Sequence, residues 1–185
     1  MNLFTRLNKR GIYLLTGFTL IIIGISCASI SNFLPDNLFP NNQEDNSTEM
    51  EEKFTFIEGV DCIPDITSYE VGTLVDIIDG DSIRVAIQGS IFEVRYIGID
   101  TPEYNSDQRQ AAVEAAEANK KLLSSSLLYL FKDQSETDKY GRLLCYVISN
   151  NMFINLELVQ SGYAQAKTYF PDTSCASTFK QAMVK

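Results

Sequence analysis

The chain of 185 residues has room for one ordinary domain and an appendage, and its 45% hydrophobic content is sufficient for a buried core. A formal net charge of −9 argues against a polycation that coats nucleic acid or anionic membranes. The complete absence of His excludes His-based catalytic triads and the zinc sites that need imidazole. Any chemistry must therefore come from carboxylates, Arg, Lys, Tyr, Ser or Cys.

The charge is unevenly distributed along the chain. Residues 1–35 carry three basic residues and no acid, whereas residues 36–70 carry ten acids and one base. Residues 71–185 carry fourteen acids and eleven bases. Most of the negative charge therefore lies in the middle stretch, and the C-terminal part is close to neutral.

Residues 1–27 have the layout of an export signal. Arg6, Lys9 and Arg10 precede an uncharged run over residues 11–30, which is the order of charges found in secretory signals. A helix over this run would span roughly 30 Å, so an uncleaved membrane anchor is a second interpretation. Both interpretations place the rest of the chain outside the cytoplasm.

The end of this run allows two further interpretations. The sequence Gly24-Ile25-Ser26-Cys27 resembles the lipobox of bacterial lipoproteins, in which the Cys is lipidated after cleavage. Cys27 is therefore a candidate lipidation site, although Gly24 stands where Leu is usual. Cleavage near Ala28 with free secretion remains open, as does a buried core helix.

Residues 28–68 are rich in Asn, Asp, Glu, Ser and Pro and show no regular hydrophobic period. Such a composition does not bury enough apolar surface to offset the entropy lost on ordering. We therefore expect a flexible acidic linker, with a specific binding role as the alternative. The folded domain is expected over residues 69–185.

Hydrophobic periodicity in this domain predicts three strands, one long helix and two further strands. The turn signals Asp79-Gly80 and Gly89-Ser90 separate the first three strands, and Pro102 ends the third. The strands are predicted at 69–78, 82–87, 91–99, 127–132 and 143–148, and helices at 108–126, 155–160 and 174–184. This order predicts a five-stranded, partly open barrel of the oligonucleotide/oligosaccharide-binding (OB) type.

Three short motifs carry the charged residues of this domain. They are Asp79-Gly80-Asp81-Ser82, the block from Arg95 through Asp100-Thr101-Pro102-Glu103, and Asp138-Lys139-Tyr140-Gly141-Arg142. Their residues, order and spacing resemble those of the thermonuclease family, which is also called staphylococcal-nuclease-like. The likeness extends over about residues 71–173 and implies an α+β fold, a five-stranded OB barrel with helices.

Asp81 and Asp100 each stand at a strand end, where their carboxylates can converge on a divalent cation. The carbonyl of Thr101 can supply a further hard oxygen ligand, and outside the cell Ca²⁺ is the plausible ion. Such a cation polarises a phosphoryl oxygen and orients water. We therefore expect Ca²⁺ as cofactor, with Asp81, Asp100 and Thr101 as its ligands.

Glu103 follows Asp100 after a rigid Pro and can reach a water beside the metal. In a chain without His it is the candidate general base. Arg95 and Arg142 present planar forks that suit a phosphodiester and can stabilise charge in the transition state. These three residues form the predicted catalytic set.

The resemblance also implies three substrate-binding residues. Lys139 and Tyr140 correspond to the family residues that hold a terminal phosphate, and the ring of Tyr140 could contact a base. A further stacking Tyr of the family falls near residues 167–170, where Tyr169 is the counterpart after a shift of one residue. Substrate contacts are therefore expected at Lys139, Tyr140 and Tyr169.

The remaining cysteines suit an oxidising compartment. Cys62 and Cys175 flank the domain, and we hypothesise a disulfide between them. Two unrelated buried thiols are the alternative. Cys145 lies in an apolar strand and is expected to be a small buried residue.

Together these observations predict an exported, surface-tethered and monomeric Ca²⁺-dependent nuclease that acts on DNA and RNA. The resemblance implies water attack opposite the 5′ oxygen, which leaves 3′-phosphate ends. The main alternative is a catalytically inactive OB-fold module that binds single-stranded nucleic acid. A structural anchor module would leave the catalytic set unexplained.

Overall fold

The structure, a computed structural model, describes residues 53–105, 107–125 and 127–183. The predicted signal or anchor over residues 1–27, the lipidation site Cys27 and the predicted linker up to residue 52 lie outside the described residues. No helix in the described part of the chain is long and apolar enough to cross a membrane.

A closed five-stranded barrel forms the centre of the domain. Its strands are β1 Tyr69–Ile77, β2 Ser82–Ile87, β3 Ser90–Tyr96, β5 Leu127–Phe131 and β6 Leu143–Ser149. Strands β1, β2 and β3 form an antiparallel meander, and β1 also pairs with β5, which pairs with β6. A parallel pairing of β3 with β6 closes the barrel, so it is not partly open as predicted. The predicted fold class is confirmed.

Short elements complete the described residues. A small sheet pairs β4 with β8, and β7 extends β6. The elements are β4 Ile99–Asp100, β7 Met152–Phe153, β8 Gln165–Ala166, and helices α1 Arg109–Leu122, α2 Ile154–Gln160 and α3 Ala176–Ala182. Helix α1 is shorter than predicted because Ser124 and Ser125 follow it, and serine favours turns over helix interiors.

The third predicted strand, 91–99, is interrupted after Tyr96. Gly98 has a φ of +79°, which side chains other than glycine rarely adopt. A Cβ on Gly98 would also lie 2.5 Å from Cε2 of Phe179, so the turn packs directly on helix α3. This break directs the chain into β4 and brings Asp100 to the open end of the barrel.

Residues 53–68 pack against the barrel, although they fall within the predicted linker. Phe54, Ile57, Val60 and Ile63 recur every third residue and are buried in the core. The ring of Phe54 makes edge contacts with three aromatic rings of the barrel, Tyr69, Tyr129 and Phe131. The packed part of the chain therefore begins before the predicted boundary at Tyr69.

A disulfide in the structure joins this N-terminal segment to the start of helix α3. Cys62 and Cys175 are bonded, with their Cα atoms 4.9 Å apart and a separation of 113 positions in the sequence. Cys145 is a free thiol inside β6, and burial raises its pKa to about 12. The Cys145 thiol is therefore protonated at neutral pH and shielded from reagents.

We predict that a digest of the chain without reductant yields one linked peptide pair containing Cys62 and Cys175. In the chain-entropy model, replacing both residues with Ser lowers the free energy of unfolding by about 4–5 kcal/mol, because the cross-link closes a long loop. Mass spectrometry and denaturant titration measure the two effects. Free thiols at both positions in the native chain would overturn the assignment, and Cys145→Ser is the control that leaves the linked pair intact.

Candidate active site

A cleft of about 600 Å³ opens at one end of the barrel. Its walls come from the β1–β2 turn, the end of β3, the segment after β4, the β5–β6 loop and the segment before α3. Of the predicted residues, those that line it are Asp81, Arg95, Asp100, Glu103, Lys139, Tyr140, Arg142 and Tyr169. The structure therefore brings residues from all three motifs together.

The β1–β2 turn places Asp81 at the base of the cleft. The Asp79 carboxylate accepts the backbone N–H of Asp81 at 3.0 Å, which fixes the turn. A Cβ on Gly80 would lie 2.7 Å from Cβ of Ala115 and 2.8 Å from Oγ1 of Thr101. Only glycine lets the turn approach helix α1 and Thr101 this closely.

Helix α1 holds the same turn through a buried amide. Asn119 donates to the carbonyl of Asp79 at 3.1 Å and accepts the hydroxyl of Tyr96 at 2.9 Å. Asn119 is fully buried, so leaving either polar group unpaired would be costly. These two bonds position the turn relative to the end of β3.

The buried carboxylate of Asp81 connects two of the predicted motifs. Its Oδ2 accepts the backbone N–H of Thr101 at 2.8 Å and the Thr101 hydroxyl at 3.0 Å. Its Oδ1 forms an ion pair with Nη1 of Arg95. Burial raises the pKa of Asp81 to about 6, and Asp79 adds to this increase while Arg95 opposes it. One guanidinium therefore compensates only part of the local negative charge.

Arg95 lies between two carboxylates. Besides its pair with Asp81, its Nη2 donates to Oδ1 of Asp100 at 2.8 Å. The Arg95 side chain is 14% exposed. Its Nη1 is buried and makes an ion pair with Asp81, but no well-directed hydrogen bond with any described residue.

Asp81, Asp100 and Thr101 fit the predicted Ca²⁺ site in their chemistry. Both carboxylates contact the same guanidinium, Asp81 at Nη1 and Asp100 at Nη2, so two hard oxygen donors lie beside one group in the cleft. Asp79 also lines the cleft. In residues 53–183, leaving out 106 and 126, no group of three or more Asp, Glu or Cys side chains forms a metal site alone, so the backbone carbonyl of Thr101 would have to contribute.

Glu103 lies at the mouth of this acidic end. It follows β4 and Pro102, its side chain is exposed, and it lines the cleft together with Asp100. An exposed carboxylate beside the ion cluster is accessible to solvent water. Its position agrees with the predicted role as a base, which stays a prediction.

The β5–β6 loop presents Arg142 to the cleft. Asp138 accepts the backbone N–H of Tyr140 at 2.9 Å and that of Arg142 at 3.0 Å. Its second oxygen accepts Nε of Arg142 at 2.8 Å and pairs with Nη2 at 2.7 Å. Asp138 belongs to the third motif but has no role in the sequence-based prediction. In the structure it orients the guanidinium of Arg142.

Two acids that the sequence-based prediction missed tie the cleft walls together. Asp172 is buried and accepts the backbone N–H groups of Gln134 at 3.0 Å and Ser135 at 2.8 Å. Asp133 accepts the N–H of Ser174 at 3.0 Å and its hydroxyl at 2.9 Å. The loop with Lys139 and Tyr140 is therefore cross-linked to the segment with Tyr169. The partners lie about forty residues apart, so local sequence carries no signal for these bonds.

Comparison with known proteins gives consistent matches. The profile of the family described as "Staphylococcal nuclease homologue" matches residues 93–184. The SPbeta prophage-derived endonuclease YokF of Bacillus subtilis (strain 168) is 39% identical over 114 residues, which are 59% of this chain and 38% of that protein. Thermonuclease of Staphylococcus hyicus is 35% identical over 112 residues, 59% of this chain and 66% of that protein.

A third relative is endonuclease YncB of Bacillus subtilis (strain 168). It is 38% identical over 113 residues, which are 58% of this chain and 54% of that protein. The chain therefore spans between 38% and 66% of the length of these three curated relatives.

We predict a pH-dependent loss of stability in Asp138→Asn. Burial opposes ionisation of Asp138, but its hydrogen bonds from Arg142 and Tyr140 outweigh this and hold its pKa below the ordinary value. The charge therefore stabilises the fold above about pH 4, and this contribution is lost as pH falls through the lowered pKa. Denaturant titration should show a loss of about 1 kcal/mol at pH 7 that shrinks below pH 4.

Asp61→Asn is the matched control. Asp61 is exposed and makes no hydrogen bond or ion pair in the described part of the chain. Its substitution should leave the free energy of unfolding within about 0.5 kcal/mol at both pH values. A loss in Asp138→Asn that is equally large at pH 3 and pH 7 would contradict the assigned ion pair.

Proposed function

Because the folded domain of this chain belongs to the staphylococcal nuclease-like family, we propose that the protein hydrolyses phosphodiester bonds of DNA and RNA in a Ca²⁺-dependent reaction. The observation that carries the proposal is the convergence of Arg95, Arg142 and Glu103 on a cleft with buried carboxylates. The names of the relatives, endonuclease and thermonuclease, support the same reaction class.

Arg95 and Arg142 bind the scissile phosphate in this proposal. Both side chains line the cleft, where Asp81 and Asp100 hold the guanidinium of Arg95 and Asp138 holds that of Arg142. Charge grows on the phosphoryl oxygens as the nucleophile attacks, and guanidinium groups already held in place stabilise it without reorganisation. Removing either guanidinium group should reduce the rate of hydrolysis on the order of 10²-fold or more, by analogy with oxyanion donors.

Glu103 removes a proton from the attacking water. Its exposed position at the mouth lets a water reach it, and its carboxylate can accept a proton from that water. The water oxygen then forms a bond to phosphorus while the bond to the 5′ oxygen breaks. The phosphate stays on the 3′ side, which gives 3′-phosphate ends.

Asp81, Asp100 and the carbonyl of Thr101 are the residues that would hold Ca²⁺. When bound, the ion supplies positive charge and Lewis acidity beside the phosphate. Two carboxylates, Asp81 and Asp100, share one guanidinium here, and burial raises the pKa of Asp81 even beside Arg95. A cation beside them would offset the second negative charge and favour the ionised form of Asp81.

Lys139, Tyr140 and Tyr169 hold the rest of the substrate. Lys139 is exposed on the rim, where its ammonium can pair with a neighbouring phosphate. The rings of Tyr140 and Tyr169 are 72% and 51% exposed and can contact sugars or bases. Among the described residues, no helix lines the cleft. No helix there is placed to read base edges in a DNA groove, so we expect little sequence preference.

We further propose that the chain is monomeric and exported, either attached to the cell surface or freely secreted. The basic and then apolar order of residues 1–30 supports export. The disulfide between Cys62 and Cys175 suits an oxidising compartment. A lipid on Cys27, a membrane anchor and free secretion remain the three candidate modes.

The experiment is digestion of bulk genomic DNA and of total RNA by the purified chain, with Ca²⁺ or with a chelator. We predict cleavage with Ca²⁺, products with 3′-phosphate ends, and loss of cleavage with the chelator. In Glu103→Gln the rate should fall by about 10²-fold or more, because the variant keeps the shape but cannot accept the proton.

Glu117→Gln is the matched control, because Glu117 is an exposed residue of helix α1 that does not line the cleft. It should cleave at the wild-type rate. No cleavage with Ca²⁺, combined with tight binding of single strands, would instead favour the catalytically inactive OB-fold module. Wild-type activity in Glu103→Gln would remove Glu103 from the mechanism.

A further inference from the structure

We infer that Asn119 and Tyr96 are positioning residues for the proposed reaction: by fixing the β1–β2 turn, they determine how tightly the cleft holds Ca²⁺. The inference rests on the proposed function, because it concerns the cation site assigned there to Asp81, Asp100 and Thr101. Neither Asn119 nor Tyr96 belongs to the catalytic, metal-binding or substrate-binding residues that the sequence predicts.

Asn119 is the polar member of the buried face of helix α1. The buried residues of this helix are Ala112, Ala115 and Asn119, whose spacing of three and four positions places them on one side. A buried amide must find partners for its donor and acceptor groups, whereas an aliphatic side chain of similar size needs none. Packing alone therefore does not explain an Asn at this position.

The two partners of Asn119 fix the orientation of its amide. The carbonyl of Asp79 can only accept, so Nδ2 of Asn119 faces it and donates at 3.1 Å. Oδ1 then accepts the hydroxyl of Tyr96 at 2.9 Å. Burial raises the pKa of Tyr96 well above its ordinary value, so this hydroxyl keeps its proton and donates at neutral pH. The bonds form a chain from β3 through helix α1 to the turn.

This chain holds the turn at one end, and the backbone holds it at the other. Tyr96 donates its backbone N–H to the carbonyl of Asp81 at 2.9 Å, while its side chain reaches Asp79 through Asn119. Between these two points Gly80 packs on helix α1 without room for a side chain. The carboxylate of Asp81 projects from this turn, so its position depends on both attachments.

The groups proposed to bind phosphate are held by other contacts. Asp138 orients Arg142, and Asp100 accepts a hydrogen bond from Arg95. Groups that orient metal ligands from outside typically change metal affinity by about 10- to 100-fold when they are removed. Loosening the turn should therefore weaken Ca²⁺ binding more than it slows cleavage by the chain with Ca²⁺ bound.

The test is calorimetric titration of the purified full chain with Ca²⁺ alone. Asn119→Leu, which removes both bonds at similar volume, should weaken Ca²⁺ binding by about 10-fold or more. Tyr96→Phe should weaken it by about 3-fold, because the bond from Asn119 to Asp79 remains. The double variant should match Asn119→Leu within about 2-fold, because Tyr96 acts on this end of the turn through Asn119.

Cleavage of DNA at rising Ca²⁺ concentration separates positioning from a general loss of structure. In Asn119→Leu the Ca²⁺ concentration for half-maximal rate should rise with the dissociation constant, while kcat at saturating Ca²⁺ stays within about 3-fold of wild type. Tyr96→Phe keeps the aromatic ring and its packing, so it carries the test if Asn119→Leu does not fold.

Ser149→Ala is the matched control. Ser149 is a buried residue that does not line the cleft, and its hydroxyl donates to the carbonyl of Leu127 at 3.0 Å. The variant loses a buried hydrogen bond to a carbonyl, as Asn119→Leu does, but should bind Ca²⁺ within about 2-fold of wild type.

The outcomes distinguish this inference from the proposed function. Wild-type Ca²⁺ affinity in Asn119→Leu and Tyr96→Phe, an equal loss in Ser149→Ala, or a kcat that saturating Ca²⁺ does not restore would each overturn only the inference. A wild-type chain that binds no Ca²⁺ would contradict the proposed function and the inference together.

Discussion

The rest of the site depends on the interactions of the buried Asp81 carboxylate with Thr101 and Arg95. Buried charges are tolerated only when they are paired and hydrogen-bonded, and this one is satisfied by Thr101 on one oxygen and by Arg95 on the other. Glu103 follows two residues after Thr101 in the sequence. Arg95 also donates a hydrogen bond to the carboxylate of Asp100. Satisfying one buried acid therefore brings together the residues proposed for cation binding, phosphate binding and proton transfer.

The cleft walls are held by acids rather than by core packing. Asp138 orients Arg142, while Asp133 and Asp172 tie the β5–β6 loop to the segment before helix α3. The barrel supplies the frame, and the parallel β3–β6 pairing brings Arg95 opposite Leu144, which also lines the cleft. Much of the negative charge of the domain thus has a defined structural role, so net charge alone is a poor guide to whether the cleft binds an anion.

Much of the fold was predictable because the information is local. Alternating apolar residues and turn signals such as Asp79-Gly80 placed the barrel strands within about one residue, except for the third. Gly98 interrupts that strand because of its contact with Phe179, and the packing of residues 53–68 is hidden by their acidic surroundings. The motif residues were predictable as a set. The roles of Asp138 and Asp172 were not, because they depend on hydrogen bonds that only the folded chain creates.

We propose that the acids around Arg95 form a site for one Ca²⁺ ion, which would make this cleft suitable for phosphodiester hydrolysis. Calorimetric titration of the purified chain with Ca²⁺ tests this most directly, with Asp100→Asn as the variant because Asp100 is partly exposed and its loss leaves Asp81 paired with Thr101 and Arg95. The account predicts one ion per wild-type chain and at least tenfold weaker binding in Asp100→Asn, since a carboxylate ligand is lost. No Ca²⁺ binding, or equal binding by both proteins, would contradict it.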